Sequence, residues 1–371
     1  MPVFTIRGKN HRERGVDYGV QCKELIQGVL ERYIRFFNGG HTAVSWDEAK
    51  VISKEFLPFI RSYSPELLDE LEGIAQGADV EFDDLLTLNS RSEAMTLVRR
   101  PPSDKEELDG CSSVAVLPDA SANGHTILAQ NWDTYTWQEY GTVILQILRD
   151  DGPDLMIVTE AGQLARYGMN QAGIALGVNS LQKTYNPEVF GIPSVFIRRK
   201  FLEQDRYVDA VNQIFGAESM LPMYYVAAYC GAMGFEKLKD GQLVLYPENG
   251  LITHSNHIRH PHYAYQVDAL GGTLYRDRRI LKHLQPKAGA VTMEDIKDAF
   301  KDHFGYPFSV CRHGDSRKTE LNRISTLGCI LMDVTDRRIW VCKGTPCCGE
   351  FKEYMWERPH KKSDWDQIEK W

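Results

Sequence analysis

The residues able to do chemistry in this chain of 371 residues sit in two short segments, Asp109-Gly110-Cys111-Ser112-Ser113 and Ala129-Gln130-Asn131-Trp132-Asp133. Cys111 directly follows a glycine and a proline-led, charged stretch, Pro101 to Glu107. A β-branched, strand-like run begins just after it, with Val114 and Val116. A free cysteine often serves as a small buried hydrophobe, but this position suggests more. Glycine lets the preceding peptide adopt conformations other residues resist, so the Cys111 thiol can attack the Gly110 carbonyl. Hydrolysis of the resulting thioester would free the Cys111 α-amine. Such an amine titrates near ~7.7–8.0 and can act as a general base at neutral pH. One residue would then carry both nucleophile and base.

That chemistry needs a carboxylate to orient the amine and a neutral amide to stabilise an oxyanion. Asp133, on the strand paired with that of Cys111 across an Asn123-Gly124 turn, is the candidate carboxylate. Asn131, Asn179 and Asn256 are available as amides.

The elements that must position these residues fall in two textures. Residues 1 to about 100 are helical in pattern. Val20, Leu25, Ile26, Val29, Leu30, Tyr33, Ile34 and Phe37 recur at helical spacing, and Gly39-Gly40 stops that helix. Ser45-Trp46-Asp47-Glu48 is a capping box. Ser64-Pro65-Glu66 opens a third helix with Pro at its first position, and a fourth starts near Phe82. After Gly110 the pattern becomes strand-rich. Hairpins are predicted across Asp151-Gly152, Asp240-Gly241 and Thr335-Asp336, and a strand at Ile174–Val178. Helices are predicted near 194–216, 274–284 and 293–304. Helices first, then many antiparallel strands with inserted helices, predict an α+β layered domain.

The two segments, with the Asn123-Gly124 turn, resemble the acyl-coenzyme A:6-aminopenicillanic acid acyltransferases, a family of cysteine-type N-terminal nucleophile (Ntn) hydrolases. Thr253-His254-Ser255-Asn256-His257 and Ser325-Thr326-Leu327 leading to Met332-Asp333 extend the resemblance over most of the chain after residue 110. It implies a four-layer αββα sandwich, made as a precursor and cut between Gly110 and Cys111. Residues 1–110 would be the small subunit and 111–371 the catalytic large one, together one domain held by self-association of the fragments. It implies Cys111 as nucleophile, Asp133 near its amine, Asn256 in the oxyanion hole and Arg323 as a basic site residue. The family's serine beside that arginine is Asn322 here. The implied activity is amide hydrolysis or acyl transfer on a small N-acyl compound, with no cofactor and with acyl-coenzyme A admissible as donor.

Two other readings make different demands. An intact-chain cysteine hydrolase would need a Cys–His pair, with His254 or His257. A non-catalytic binding protein would leave Cys111 inert. Metal is not expected. His254, His257, His260 and His262 match no standard ligand spacing, and Cys342, Cys347 and Cys348 lack a second cysteine pair. Gly271-Gly272 is no phosphate loop. The net charge of −8 offers no case for nucleic acid or an anionic membrane, and Arg337-Arg338 and Lys361-Lys362 are short runs. No stretch reaches the ~18 apolar residues of a membrane span. The first residues lack a secretory pattern, and the eight cysteines are scattered, so a cytoplasmic protein is expected.

Overall fold

The computed structural model describes residues 1–97, 110–181, 190–238, 241–261 and 272–359. Within them, the expected helical first part is α1 (His11–Gln21), α2 (Lys23–Phe36), α3 (Trp46–Lys54), α4 (Leu57–Tyr63), α5 (Pro65–Ala78) and α6 (Phe82–Leu97). Ser45 and Glu48 form the reciprocal capping box that the spacing predicts. Pro65 opens α5. Instead of stopping at Gly39-Gly40, the chain leaves α2 through a π turn, Phe37–His41. A short strand, β1 (Val3–Ile6), precedes these helices and was not legible.

The remaining chain forms β2 (Gly110–Val116), β3 (Ile127–Tyr135), β4 (Thr142–Ile147), β5 (Leu155–Glu160), β6 (Tyr167–Asn170) and β7 (Ala175–Ser180). It continues through α7 (Ser194–Leu202), α8 (Tyr207–Phe215), β8 (Met223–Ala228), β9 (Ala232–Leu238), β10 (Gly241–Leu245) and β11 (Leu251–His254). The final elements are α9 (Thr273–Leu284), α10 (Met293–Phe300), β12 (Ile324–Asp333), β13 (Arg338–Lys343) and β14 (Phe351–Tyr354). The predicted helix at 194–216 is thus two helices. The Asn123-Gly124 turn is not a tight hairpin, because residues 117–126 form a longer loop between β2 and β3 in which Gly124 takes φ +73°. The connector Pro101 to Glu107, Asp240, His262, Gly271 and Lys361-Lys362 lie outside the described residues.

Two sheets result. One has eight strands in the order β1-β4-β5-β6-β7-β8-β9-β10, and the other has six in the order β11-β2-β3-β12-β13-β14. Every neighbouring pair is antiparallel except β1 with β4. Period-2 alternation assigns the faces of the six-stranded sheet. Cys111, Ala115, Leu128, Trp132, Ile330 and Met332 join the core shared with the eight-stranded sheet. Val114, Val116, Ile127, Ala129, Cys329 and Leu331 pack instead with Ile280 and Leu284 of α9 and Ile296 and Phe300 of α10. Helices from the first part, with α7, cover the other side of the eight-stranded sheet, as Gly162 under Leu85 and Leu88 illustrates. The fold is therefore the α+β, αββα sandwich of the Ntn type.

The first part is bound to the rest by buried polar ties as well as apolar packing. Arg199 of α7 bonds Glu70 of α5 at 2.9 Å with both side chains buried. Arg91 of α6 reaches Glu160 of β5 at 2.9 Å, and the Tyr33 hydroxyl donates to the same carboxylate at 3.0 Å. Helices α1 and α5 approach closely enough that a Cβ on Gly15 would stand 2.1 Å from the Glu70 carbonyl oxygen. Among the described residues no helix is long and apolar enough to cross a membrane.

Candidate active site

Cys111 is the second residue of β2, and its backbone lies opposite Trp132, with Gly110 opposite Asp133. Its side chain points between the sheets and is buried. The Sγ atom lies 3.6 Å from the hydroxyl of Tyr167 on β6. The Cys111 N–H donates to Asn256 Oδ1 at 3.0 Å. Arg276 of α9 approaches from the outer face. Its Nη1 donates to the Cys111 carbonyl at 2.9 Å and to Ser112 Oγ at 3.0 Å, and its Nη2 donates to Asn256 Oδ1 at 2.6 Å. The same guanidinium lies 3.5 Å from Asp133 Oδ2.

Asp133 is fully buried and accepts the Thr326 hydroxyl at 2.7 Å. Thr326 in turn accepts the Arg312 N–H at 2.9 Å. The register of β12 against β3 shifts between Thr326 and Gly328, opposite Asp133 and Trp132, the kind of bulge that re-aims a side chain. Glycine at 110 has a steric cause. A Cβ there would stand 3.0 Å from Asp133 Oδ2 and 3.1 Å from Arg312 Nη1.

The three asparagines separate by their partners. Asn131 spends its amide on the carbonyls of Phe300 and Val310. Asn179 spends its amide on Ser113 Oγ and the carbonyls of His254 and Ser255. Among the described residues Asn256 Nδ2 donates once, to the Ser180 carbonyl at 2.8 Å, which leaves a second N–H on that nitrogen unassigned there.

The structure does not bring Arg323 to this cluster. Its Nη2 points to the Lys318 carbonyl at 3.4 Å, and Thr326, opposite Asp133, lies three residues further along, roughly 10 Å of strand. Arg276 and Arg312 supply the cations near Asp133 instead. Neither was found by sequence reasoning, because Arg276 sits in the charged run Tyr275-Arg276-Asp277-Arg278-Arg279, which looks like a solvated helix face. Tyr167 had no signal either. The histidines that a Cys–His pair would require are engaged elsewhere. His254 stacks on Tyr224 at 3.9 Å and bonds Glu236 at 2.9 Å, and His257 bonds the Thr273 carbonyl at 3.0 Å.

A cleft of about 500 Å³, counted out to solvent, opens beside Cys111. Its walls include Arg91 and Glu93 from α6, Arg166 and Tyr167, Ser180, and Arg198 from α7. The helical first part therefore builds one wall of the site. Arg198 is buried and bonded to Ser194 Oγ at 3.3 Å, while its Nε meets no hydrogen-bond partner among the described residues. Burial, with Arg166 nearby, pulls it below the ordinary guanidinium value. Burial likewise pushes the Glu93 carboxyl up.

A family model described as acyl-coenzyme A:6-aminopenicillanic acid acyl-transferase matches residues 120–347, more than half of the chain. That range holds Asp133, Asn256 and Arg276 and starts after Cys111. The acyl-coenzyme A:6-aminopenicillanic-acid-acyltransferase 40 kDa form of Emericella nidulans is 28% identical over 341 residues, covering 89% of this chain and 90% of its own. The beta-alanyl-dopamine/carcinine hydrolase of Drosophila melanogaster is 27% identical over 199 residues, 49% of each chain. Among solved structures, the penicillin V acylase of Agrobacterium tumefaciens overlays with TM-score 0.40 at 12% identity, covering 63% of this chain and 83% of that one. A mutant conjugated bile acid hydrolase of Clostridium perfringens gives 0.44 at 10% identity, covering 67% and 97%. At these scores the fold rests on the chain's own sheets.

Proposed function

The chain belongs to the acyl-coenzyme A:6-aminopenicillanic acid acyl-transferase family, and we propose that it is a self-processing amide hydrolase or acyltransferase with Cys111 as nucleophile. The observation that carries this reading is the seat of the Cys111 nitrogen. In the uncut chain this peptide N–H already donates to Asn256 Oδ1 at 3.0 Å, under the Arg276 guanidinium. Cleavage after Gly110 would turn that same nitrogen into an α-amine held in place.

In the self-cleavage step Sγ attacks the Gly110 carbonyl carbon, the C–N bond breaks, and the nitrogen takes up the proton. Water then hydrolyses the Gly110 thioester, which leaves a carboxyl on Gly110 and a free thiol on Cys111. In turnover the α-amine takes the thiol proton, and the thiolate attacks the substrate carbonyl. The second N–H of Asn256 Nδ2 is the oxyanion donor in this reading, since Asn131 and Asn179 have used theirs. The α-ammonium then protonates the departing amine. Water or an acceptor amine removes the acyl group, and an acyl thioester such as acyl-coenzyme A can load the same thiol. The substrate class is a small N-acyl compound with an anionic group, because a carboxylate would pair with the buried Arg198. Residues 1–110 and 111–371 stay associated after the cut, through the Glu70–Arg199 and Arg91–Glu160 pairs.

Intact mass under denaturing conditions tests the reading. Two fragments are expected, residues 1–110 and a second beginning Cys-Ser-Ser-Val. A fully active, uncut chain would overturn it.

A further inference from the structure

Outside the cleft, four side chains that can ligate a metal meet at one point. His303 follows α10, Cys311 and His313 lie on the segment leading to β12, and Cys347 lies in the turn between β13 and β14. Their donor atoms all lie within 4.8 Å of one another. His303 Nε2 and His313 Nε2 are 3.0 Å apart. Cys311 Sγ is 3.6 Å and Cys347 Sγ 3.5 Å from His313 Nε2. Around a tetrahedral zinc, bond lengths of about 2.3 Å to sulfur and 2.0–2.1 Å to nitrogen place the donors about 3.3 Å apart for two nitrogens and about 3.6 Å for a nitrogen and a sulfur. The three separations to His313 Nε2 match these values within a few tenths of an ångström.

The geometry points to a zinc site formed by His303, Cys311, His313 and Cys347. The donor set is two imidazoles and two thiols, which suits zinc over hard cations. On binding, both thiols release their protons to solvent, and two thiolates balance the dication. Four protein ligands leave no open position, so the ion is structural and takes no part in acyl transfer. Cys348 is a spare thiol. It is exposed, and its Sγ is 3.4 Å from that of Cys347.

The ion would clamp two loops separated in sequence. It would also fix the segment on which Arg312 follows Cys311 directly. Arg312 bonds Thr326, Thr326 bonds Asp133, and the Arg312 guanidinium crowds Gly110. The clamp therefore bears on the cleavage junction through Arg312, and its presence does not depend on the proposed acyl chemistry.

The test uses the full-length chain purified reduced and without chelator from zinc-supplemented cells. Elemental analysis should find about one zinc per chain. Replacement by cobalt should give the strong visible bands of a tetrahedral ion with thiolate-to-cobalt charge transfer. Cys347→Ser should lower zinc content at least about tenfold, and Cys348→Ser should leave it unchanged. Should Cys347→Ser fail to fold, cobalt titration of the wild-type chain decides. Zinc below about a tenth per chain with a weak octahedral cobalt spectrum would overturn the site. A disulfide joining Cys311 or Cys348 to Cys347 in the anaerobically purified chain, seen by non-reducing mass spectrometry, would overturn it as well.

Discussion

Cys111 and Cys311 are both buried thiols at the six-stranded sheet, yet their surroundings differ in kind. Cys111 has a phenol, an amide and a guanidinium near it, and His254 and His257 are engaged with other partners. Cys311 has an imidazole at 3.6 Å, a second imidazole behind it and another thiol close by. In the proposed reading Cys111 takes its base from the new α-amine that backbone cleavage provides. A thiol among imidazoles and a second thiol is arranged to hold a cation. The roles proposed for these two identical side chains thus differ through their neighbours.

The sharpest way to break this contrast is Cys111→Ala. It should abolish self-cleavage and lower turnover by on the order of 10⁴-fold or more, while zinc content stays at the wild-type level. Measuring mass, activity and metal on one preparation checks all three. Wild-type activity in this variant would remove Cys111 from the chemistry.

Asn256→Ala comes next. Made in a two-chain form that expresses residues 1–110 and 111–371 separately, it should lower kcat by about 10²–10³, or ~2.7–4 kcal/mol, with little change in KM. Asn256→Asp should be at least as slow, because an ionised carboxylate repels an oxyanion. A kcat within about threefold of the parent would return Asn256 to a purely positioning role for the Cys111 nitrogen.

Gly110→Ala probes the junction itself. The added Cβ would crowd Asp133 and Arg312, and overpacking of this kind costs about 1–3 kcal/mol. Self-cleavage followed by mass against time should slow by about tenfold, whereas the alanine variant of the two-chain form should turn over normally. Equal cleavage rates in Gly110→Ala and the parent would show that the crowding is relieved by movement.

The smallest effect is expected at Arg198. For a substrate bearing a carboxylate, Arg198→Gln should raise KM about tenfold, the loss of one charge-assisted hydrogen bond, and leave kcat nearly unchanged. A neutral isostere of that substrate should be indifferent to the change. If both compounds lose equally, Arg198 supports the wall of the cleft and does not read charge.

The sequence was most legible where chemistry and local structure coincide. The capping box at Ser45, the Pro65 helix start and the β4–β5 and β12–β13 hairpins follow from short-range patterns. So did the pairing of β2 with β3, which sets Gly110 opposite Asp133, although the loop between them is longer than a two-residue turn. The strands β1, β6, β9, β11 and β14 were missed, being four to seven residues each and lacking clear alternation. Arg323 was misplaced for a related reason. Motif similarity identifies a segment, and strand register decides which residue of it faces Asp133.

By itself the sequence determined the nucleophile candidate, the glycine before it, the carboxylate across the strand pair and the order of helices and strands. Each of these depends on neighbours in the chain or on pattern period, so it can be read from one dimension. Tertiary structure alone decided that Asn256 takes the Cys111 N–H while Asn131 and Asn179 are consumed elsewhere, that Arg276 of α9 reaches the Cys111 carbonyl, and that His303, Cys311, His313 and Cys347 meet. Those partners are separated by up to 179 residues along the chain. Their convergence is a product of how two sheets and their helices pack, which no local spacing encodes.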